Sequence, residues 1–435
     1  MFKEIINLKD SDIDQLINSI RSNKESSEKN ISKEVKKIIE KVSKEGDEAI
    51  IDYINKFESK NISSLEEIKI SKKEIRTSEK LIKEKVFKAL KRSYERVFNF
   101  QKSLISPKEG TRKNLTRLSV PIESVLIYAP GGKASYPSTV LMAAAPARAA
   151  GVRKIFLASP SKNRSLNAAI LTAANISNID EVFCLGGAQA IAGFAFSNNS
   201  LPTVDKIVGP GNKYVTEAKK QVFGKVGIDL IAGPSEILII ADKHSDPFST
   251  ALDLMAQAEH DELACSILIS LDKEFSLKVL DIISSELKKL ERKNIIKESL
   301  SNNGYIINVD SLEEAINLSN KLAPEHLHLK LEDSAQIARE FLYAGTILIG
   351  EDSANAISDY ALGPSHILPT SGSARFSSQL SVNDFMVNPT LVDLSQEEMG
   401  KDYIELLEDT VLIAKAEGLS AHSLSAEYRL NKKRK

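Results

Sequence analysis

The sequence predicts an α/β protein with two related sheet units, a helical amino-terminal arm and a helical carboxyl-terminal tail. Three observations carry the prediction. Apolar strand-like runs lead again and again through turns, mostly glycine-bearing, into helical stretches, the signature of a parallel sheet covered by helices. At 435 residues the chain exceeds the usual ceiling for one core. The two ends lack these runs and show helical spacing instead.

From Ser11 to about Arg117 the chain is rich in Lys, Glu, Ile and Ser. Val35, Ile38, Ile39 and Val42 recur at helical intervals, and the glycines are confined to "EGDEA" and "KEGTR". This predicts helices with solvated charged faces. At Ser119 the character changes. "SVLIYAPGG", "VRKIFLASP", "DEVFCLGGAQAIAGFAF" and "VDKIVGPGNKYVTEAKKQVF" form one series of strand, loop and helix. A second follows with "SEILIIAD", "ACSILISL", "GYIINVD", "EHLHLKL" and "GTILIG". Ligands are expected at the carboxyl ends of such strands. Beyond about Ser381 the segments "QEEMGKDYIELLEDTVLIAKAEGL" and "SAHSLSAEYRL" are helical in pattern, and the chain ends in the basic "NKKRK".

Charge and composition narrow the class of function. With 58 Lys+Arg against 59 Asp+Glu the net charge is −1, so the basic excess of a nucleic-acid binder is missing and a small-molecule partner is expected. The amino terminus "MFKEIINLKDSDIDQL" has no apolar signal region, and no apolar run approaches the roughly 20 residues of a membrane span. Two cysteines, Cys184 and Cys265, lie in apolar runs, which predicts buried thiols, no disulfide framework and a cytoplasmic setting.

The candidate chemistry begins in "LMAQAEHDEL", where Gln257 precedes His260 by one helical turn, so a carboxamide and an imidazole can converge on one point. A polar helix face is the plain alternative. His244 lies in a turn, and His326 and His328 share a strand face in "LAPEHLHLKL". His366 follows Asp359 in "SDYALGPSHILPT", and His422 follows Glu417 in "AEGLSAHSL". Gln257, His260, Asp359 and His422 make a nitrogen and oxygen shell of the kind that suits Zn²⁺, Mn²⁺ or Co²⁺. Glu325 beside His326 offers two proton-transfer groups at one place. "APGGKASYPST" and "VGPGNKY" could bring backbone amides close to a ligand or be ordinary turns, and neither matches the common dinucleotide or P-loop fingerprints. There is no H-E-x-x-H.

The strings "YAPGGKASYPSTVLM", "GGAQAIAGFAF", "VDKIVGPGNKYV", "IAGPSEILIIAD", "AQAEHD", "LAPEHLHL", "SDYALGPSHILPT", "FSSQLSVNDF" and "AEGLSAHSLS" resemble, in this order, those of the histidinol dehydrogenase family, from about Asn114 to Arg429. That resemblance implies zinc held by Gln257, His260, Asp359 and His422, and Glu325 and His326 as the acid and base residues. It implies substrate contact for Ser235, His366, Glu417, His326 and the zinc ligands. Tyr128, Gln189 and Asn212 would lie along an NAD site on an incomplete Rossmann-like unit. The implied reaction takes L-histidinol through the aldehyde to L-histidine with NAD, the last step of histidine biosynthesis. The family's intertwined homodimer implies that the tail with Glu417 and His422 completes the neighbouring subunit's site. It also implies an arm at 1–20, a first α/β unit at 21–128 with 236–378, a second at 129–235, and a tail at 379–435. Gln379 stands where the family commonly has glycine. A zinc hydrolase using Glu325 as base is the competing reading, and NADH formation separates the two.

Overall fold

The computed structural model describes residues 2, 5–10, 12–22, 28–58, 61–105, 110–112, 114–131, 135–161, 165–196, 200–394 and 400–433. The chain divides into two compact units, Met1–Ile105 with Pro121–Phe385, and Ser106–Val120 with Met386–Lys435.

The larger unit holds two six-stranded sheets. The first runs, edge to edge, Ile5–Asn7, Gly304–Asn308, Cys265–Ser270, Glu236–Ala241, His326–Lys330 and Thr346–Ile349, all parallel. The second runs Gly227–Ile228, Lys206–Val208, Ser124–Tyr128, Lys154–Ala158, Glu181–Phe183 and Lys69–Ile70. It is parallel except at the Lys69–Ile70 edge. The central strands are buried on both faces, which is why "EILII" and "VLIY" are continuous apolar runs rather than alternating ones. In each sheet the strand order reverses once. The reversal falls between Glu236–Ala241 and His326–Lys330 in the first, and between Ser124–Tyr128 and Lys206–Val208 in the second.

All nine strand runs expected from the sequence are strands, and Cys184 and Cys265 are buried. The boundaries differ. Ser124–Tyr128, assigned with 236–378, is a central strand of the second sheet, and Ile31, Val35, Ile50, Ile54 and Ile68 pack into that sheet's core. Nor is 1–20 a detached arm, because Ile5–Asn7 adds an edge strand to the first sheet and Leu16, Ile17 and Ile20 join its core. An amphipathic helix announces that it has an apolar face, not which sheet will cover it.

The smaller unit carries an antiparallel ladder of Gly110–Arg112, Leu115–Arg117 and Thr390–Val392, and the helices Gly400–Ala416 and Ser420–Lys433. Leu407, Val411, Ala426 and Leu430 form the seam between those helices. No helix among the described residues is long and apolar enough to cross a membrane.

Candidate active site and cofactor pocket

The titratable residues gather at the amino ends of the first sheet's strands, not at the carboxyl ends expected from the sequence. Glu325 immediately precedes the His326–Lys330 strand, and Glu236 opens its neighbour. The helix Pro247–Ala258 runs back against the strands, so its last turn, with Gln257 and then His260, returns to the amino ends. Its start is fixed by Asp246, whose carboxylate accepts from the Phe248 and Ser249 amides, with Pro247 at the first position. Asp359 enters from the short π-helical turn Ser358–Leu362, an irregularity often found at functional sites.

The contacts are close. The Glu236 amide donates to Glu325 Oε2 at 2.6 Å, and His326 Nδ1 donates to the Glu236 carbonyl at 3.1 Å. His326 Nε2 meets Asp359 Oδ1 at 3.1 Å, and Glu325 Oε2 lies 3.7 Å from His326 Nδ1. Both imidazole nitrogens of His326 therefore face acceptors, which favours its cation. Burial disfavours that cation, but Glu325 and the hydrogen bond to Asp359 outweigh it and lift His326 to about 9. Burial pushes Glu325 up to about 8 against the pull of His326. Both groups thus hold protons more tightly than usual, as acid and base residues in a closed site do.

The metal candidates are in ligating form. Burial lowers His260, with Asp359 opposing, so its imidazole is neutral near pH 7. Burial would raise Asp359, but the hydrogen bond and charge of His326 hold it below the ordinary range as a carboxylate. Gln257 is buried, and its Oε1 accepts from Asn355 Nδ2 at 3.1 Å. His366 donates through Nδ1 to the Asp359 carbonyl at 2.9 Å and meets Thr139 Oγ1 through Nε2 at 3.2 Å. Burial also lowers its pKa. Ser235 lies just ahead of Glu236, and its carbonyl accepts from the Cys265 amide.

Tyr128, Gln189 and Asn212 come together elsewhere, at the carboxyl ends of the second sheet beside its reversal point. They line a cavity of about 810 Å³ with Glu58, Pro130, Gly131, Pro160, Gly186 and Gly187 among others. The Gly186 amide and Gln189 Nε2 both donate to Glu58 Oε1 at 3.2 Å, and the Gly187 amide donates to the Tyr128 hydroxyl at 3.2 Å. Asn212 caps the Lys213–Val222 helix by accepting from the Tyr214 and Val215 amides. The turn before it is braced by a buried ion pair. Asp229 accepts from the Gly209 amide at 2.7 Å, Lys219 donates to the Gly209 carbonyl at 2.8 Å, and Lys219 and Asp229 contact each other. Residues 132–134 of the first glycine loop lie outside the described residues.

Glu417 and His422 belong to the smaller unit and are exposed there. Among the described residues no three His, Cys, Asp or Glu side chains gather as a metal-holding group. His244 is exposed, as expected, and His328 faces Asp253. Gln379 is not among the residues with a left-handed backbone, so its position does not demand glycine. Sequence reasoning missed Glu58, Asp229, Glu236 and Asp253. Only Asp253 had a usable signal, its place one turn before Gln257.

The sequence model of the histidinol dehydrogenase family matches residues 21–430. The chain belongs to the histidinol dehydrogenase family. The histidinol dehydrogenase of Nitrosomonas europaea is 41% identical over 96% of this chain and 96% of its own. That of Dehalococcoides mccartyi is 44% identical over 92% and 90%. The crystal structure of histidinol dehydrogenase from Elizabethkingia anophelis superposes with a TM-score of 0.89 at 32% identity, covering 99% of this chain and 98% of the other. As a histidinol dehydrogenase the chain is an oxidoreductase of histidine biosynthesis that acts on histidinol.

Proposed function

We propose that the chain catalyses the zinc-dependent, NAD-dependent four-electron oxidation of L-histidinol through L-histidinal to L-histidine, the last step of histidine biosynthesis. The observation that carries this reading is the buried Glu325–His326–Asp359 cluster, which gathers proton-transfer groups beside Gln257 and His260. The donors Gln257, His260 and Asp359 fit Zn²⁺ because the imidazole is neutral and the carboxylate ionised. His422 supplies the fourth ligand. Zinc, when bound, orients the imidazole and amine of histidinol as a template. Tyr128, Gln189 and Asn212 would hold NAD⁺ along the cavity, where it would supply the hydride acceptor for each oxidation.

His326, in the neutral form that prevails above about pH 9, takes the hydroxyl proton as the alcohol carbon loses hydride. The aldehyde then needs a water nucleophile, and Glu325, ionised above about pH 8, accepts a proton from that water as its oxygen bonds to the carbonyl carbon. The hydrate gives up a second hydride and a proton to become the carboxylate. Ser235 and His366 border the substrate, and Glu417 contacts it from the tail.

The chain functions in the cytoplasm as a homodimer, with no nucleic acid or membrane partner. Glu417 and His422 are exposed on their own chain, which supports a tail that completes the neighbouring site. Steady-state formation of NADH from histidinol and NAD⁺, with and without a chelator, tests the reaction. Full activity in metal-free protein removes zinc from it, and hydrolysis without NADH favours a zinc hydrolase. Co-expressing His260→Ala with His422→Ala tests the sharing. Half the dimers are mixed and each has one sound site of two, so about a quarter of wild-type activity returns. No recovery from dimers shown to mix means that each tail serves its own chain.

A further inference from the structure

The His326–Lys330 strand is buried throughout, yet only one of its faces is apolar. Leu327 and Leu329 enter one core cluster, while His326, His328 and Lys330 point to the opposite face. The neighbouring strand sets Ile237, Ile239 and Ala241 in register with those three polar residues. The helix Pro247–Ala258 answers both strands. Ala251, Leu254, Met255 and Ala258 pack with the Ile237, Ile239 and Ala241 side. Ser249, Asp253 and Gln257, spaced four apart along the same helix, form a polar ridge.

The ridge meets the strand in a line of contacts. Lys330 Nζ donates to Ser249 Oγ at 2.8 Å and pairs with Asp253 Oδ2 at 2.9 Å and Glu351 Oε2 at 3.3 Å, its side chain fully buried. His328, also fully buried, donates through Nε2 to the Gly350 carbonyl at 2.9 Å and sets Nδ1 3.5 Å from Asp253 Oδ2. Burial would raise the Asp253 carboxyl, but His328 and Lys330 outweigh it, so it titrates below the ordinary range.

These groups take no part in the chemistry above, and taking such charges out of water is costly. The apolar side of the helix, two alanines with a leucine and a flexible methionine, offers little to resist sliding along the sheet. An ion pair resists, because a shift of one residue, about 1.5 Å, breaks its geometry. We infer that Asp253 and Lys330 are positioning residues that set the register of the Pro247–Ala258 helix against the His326 strand, and so where Gln257 and His260 stand relative to Glu325 and His326. The inference rests on the proposed zinc site, since Gln257 and His260 are what the register delivers.

The test uses the full-length enzyme as isolated with its metal. In the double variant Asp253→Leu/Lys330→Met, apolar side chains of similar volume replace the pair, an exchange that buried ion pairs often tolerate without loss of stability. The melting temperature is expected to stay near that of the wild type. Zinc release to a chromophoric chelator is expected to be about tenfold faster or more, the scale on which supporting contacts tune metal sites. The kcat for histidinol should fall with it. A double variant that keeps wild-type zinc retention and kcat overturns the inference, because the pair would then serve stability alone. Should the double variant fail to fold, Ser249→Ala/Glu351→Gln removes two partners of Lys330 from the edge of the seam. About threefold faster zinc release supports the inference, and unchanged release overturns it. A wild-type enzyme without zinc overturns the metal reading itself, and the inference with it.

Discussion

The two sheets of the larger unit share strand number, a parallel core and a single reversal of order, yet they use opposite ends. The second places its cavity at the carboxyl ends beside the reversal, where open α/β sheets ordinarily bind ligands. The first gathers Glu236, Glu325 and His326 at the amino ends, and at the carboxyl side of its reversal it buries Lys330 with Asp253. The contents differ as well. The cavity is lined by glycines, prolines, amides and tyrosines, with Glu34, Lys37, Lys56 and Glu58 among them, whereas the first sheet's site brings imidazole and carboxylates into direct contact, the arrangement that moves protons. Topology alone therefore does not say where an α/β sheet will act. The ends at which polar groups are left to find partners do.

If one sheet does the chemistry and the other holds the cofactor, substitutions on the two should fail in different ways. The largest effect belongs to Glu325→Gln, which should slow oxidation of the aldehyde by roughly 10² to 10⁴ and the alcohol step much less. Assaying histidinal and histidinol separately checks this, and equal losses would mean that the proton roles are wrongly divided. Next comes Asp253→Asn, which leaves Lys330 the Ser249 hydroxyl and, of its two carboxylates, only the half-exposed Glu351, and should cost about 3 kcal/mol at neutral pH. The folded carboxyl titrates below its unfolded value of about 3.9, so its stabilisation is complete above that pH and is lost as pH falls through the folded value. Denaturant melts should show the gap between wild type and variant closing below about pH 4.

On the other sheet, Gly209→Ala tests the cavity's rear turn. Gly209 has φ +107°, and a Cβ there would run into the Tyr128 carbonyl oxygen. A loss of about 2 kcal/mol and a raised KM for NAD⁺ are expected, with kcat for histidinol nearly unchanged. A kcat defect as deep as that of Glu325→Gln would break the division of labour. The smallest effect is Asn212→Ala, which loses a helix cap worth about 1 kcal/mol and should raise the KM for NAD⁺ a few-fold.

The strand core was legible because buried parallel strands leave continuous apolar runs such as "EILII" bounded by turn residues, whereas the comparable runs "VLMAAA" and "VLIA" sit inside longer helical stretches. The edge strands Ile5–Asn7 and Lys69–Ile70 were not, since they are too short to carry a period. Gln257, His260, Glu325 and Asp359 could be named from motif resemblance, but nothing in the spacing says that His326 bridges Asp359 and the Glu236 carbonyl. Those are contacts between distant segments. Glu58 was invisible for the same reason. It closes a charged-looking helix, and only the fold sets it against the Gly186 amide. "HLHLK" hinted at more, because a strand flanked by apolar neighbours that alternates Leu with His and Lys must find polar partners on one face.

The glycine turn after Phe183 has a consequence for timing. In many nucleotide sites such amides are vacant and grip phosphate, but here those of Gly186 and Gly187 are already taken by Glu58 and Tyr128. Under the proposed reaction each substrate molecule consumes two cofactors, so the first reduced cofactor must leave and a fresh one arrive while the aldehyde stays in place. A turn whose amides are spent internally has little hold on a diphosphate. Under that reaction it favours rapid exchange of the carrier over long residence, while the organic substrate would stay with the charged cluster of the other sheet.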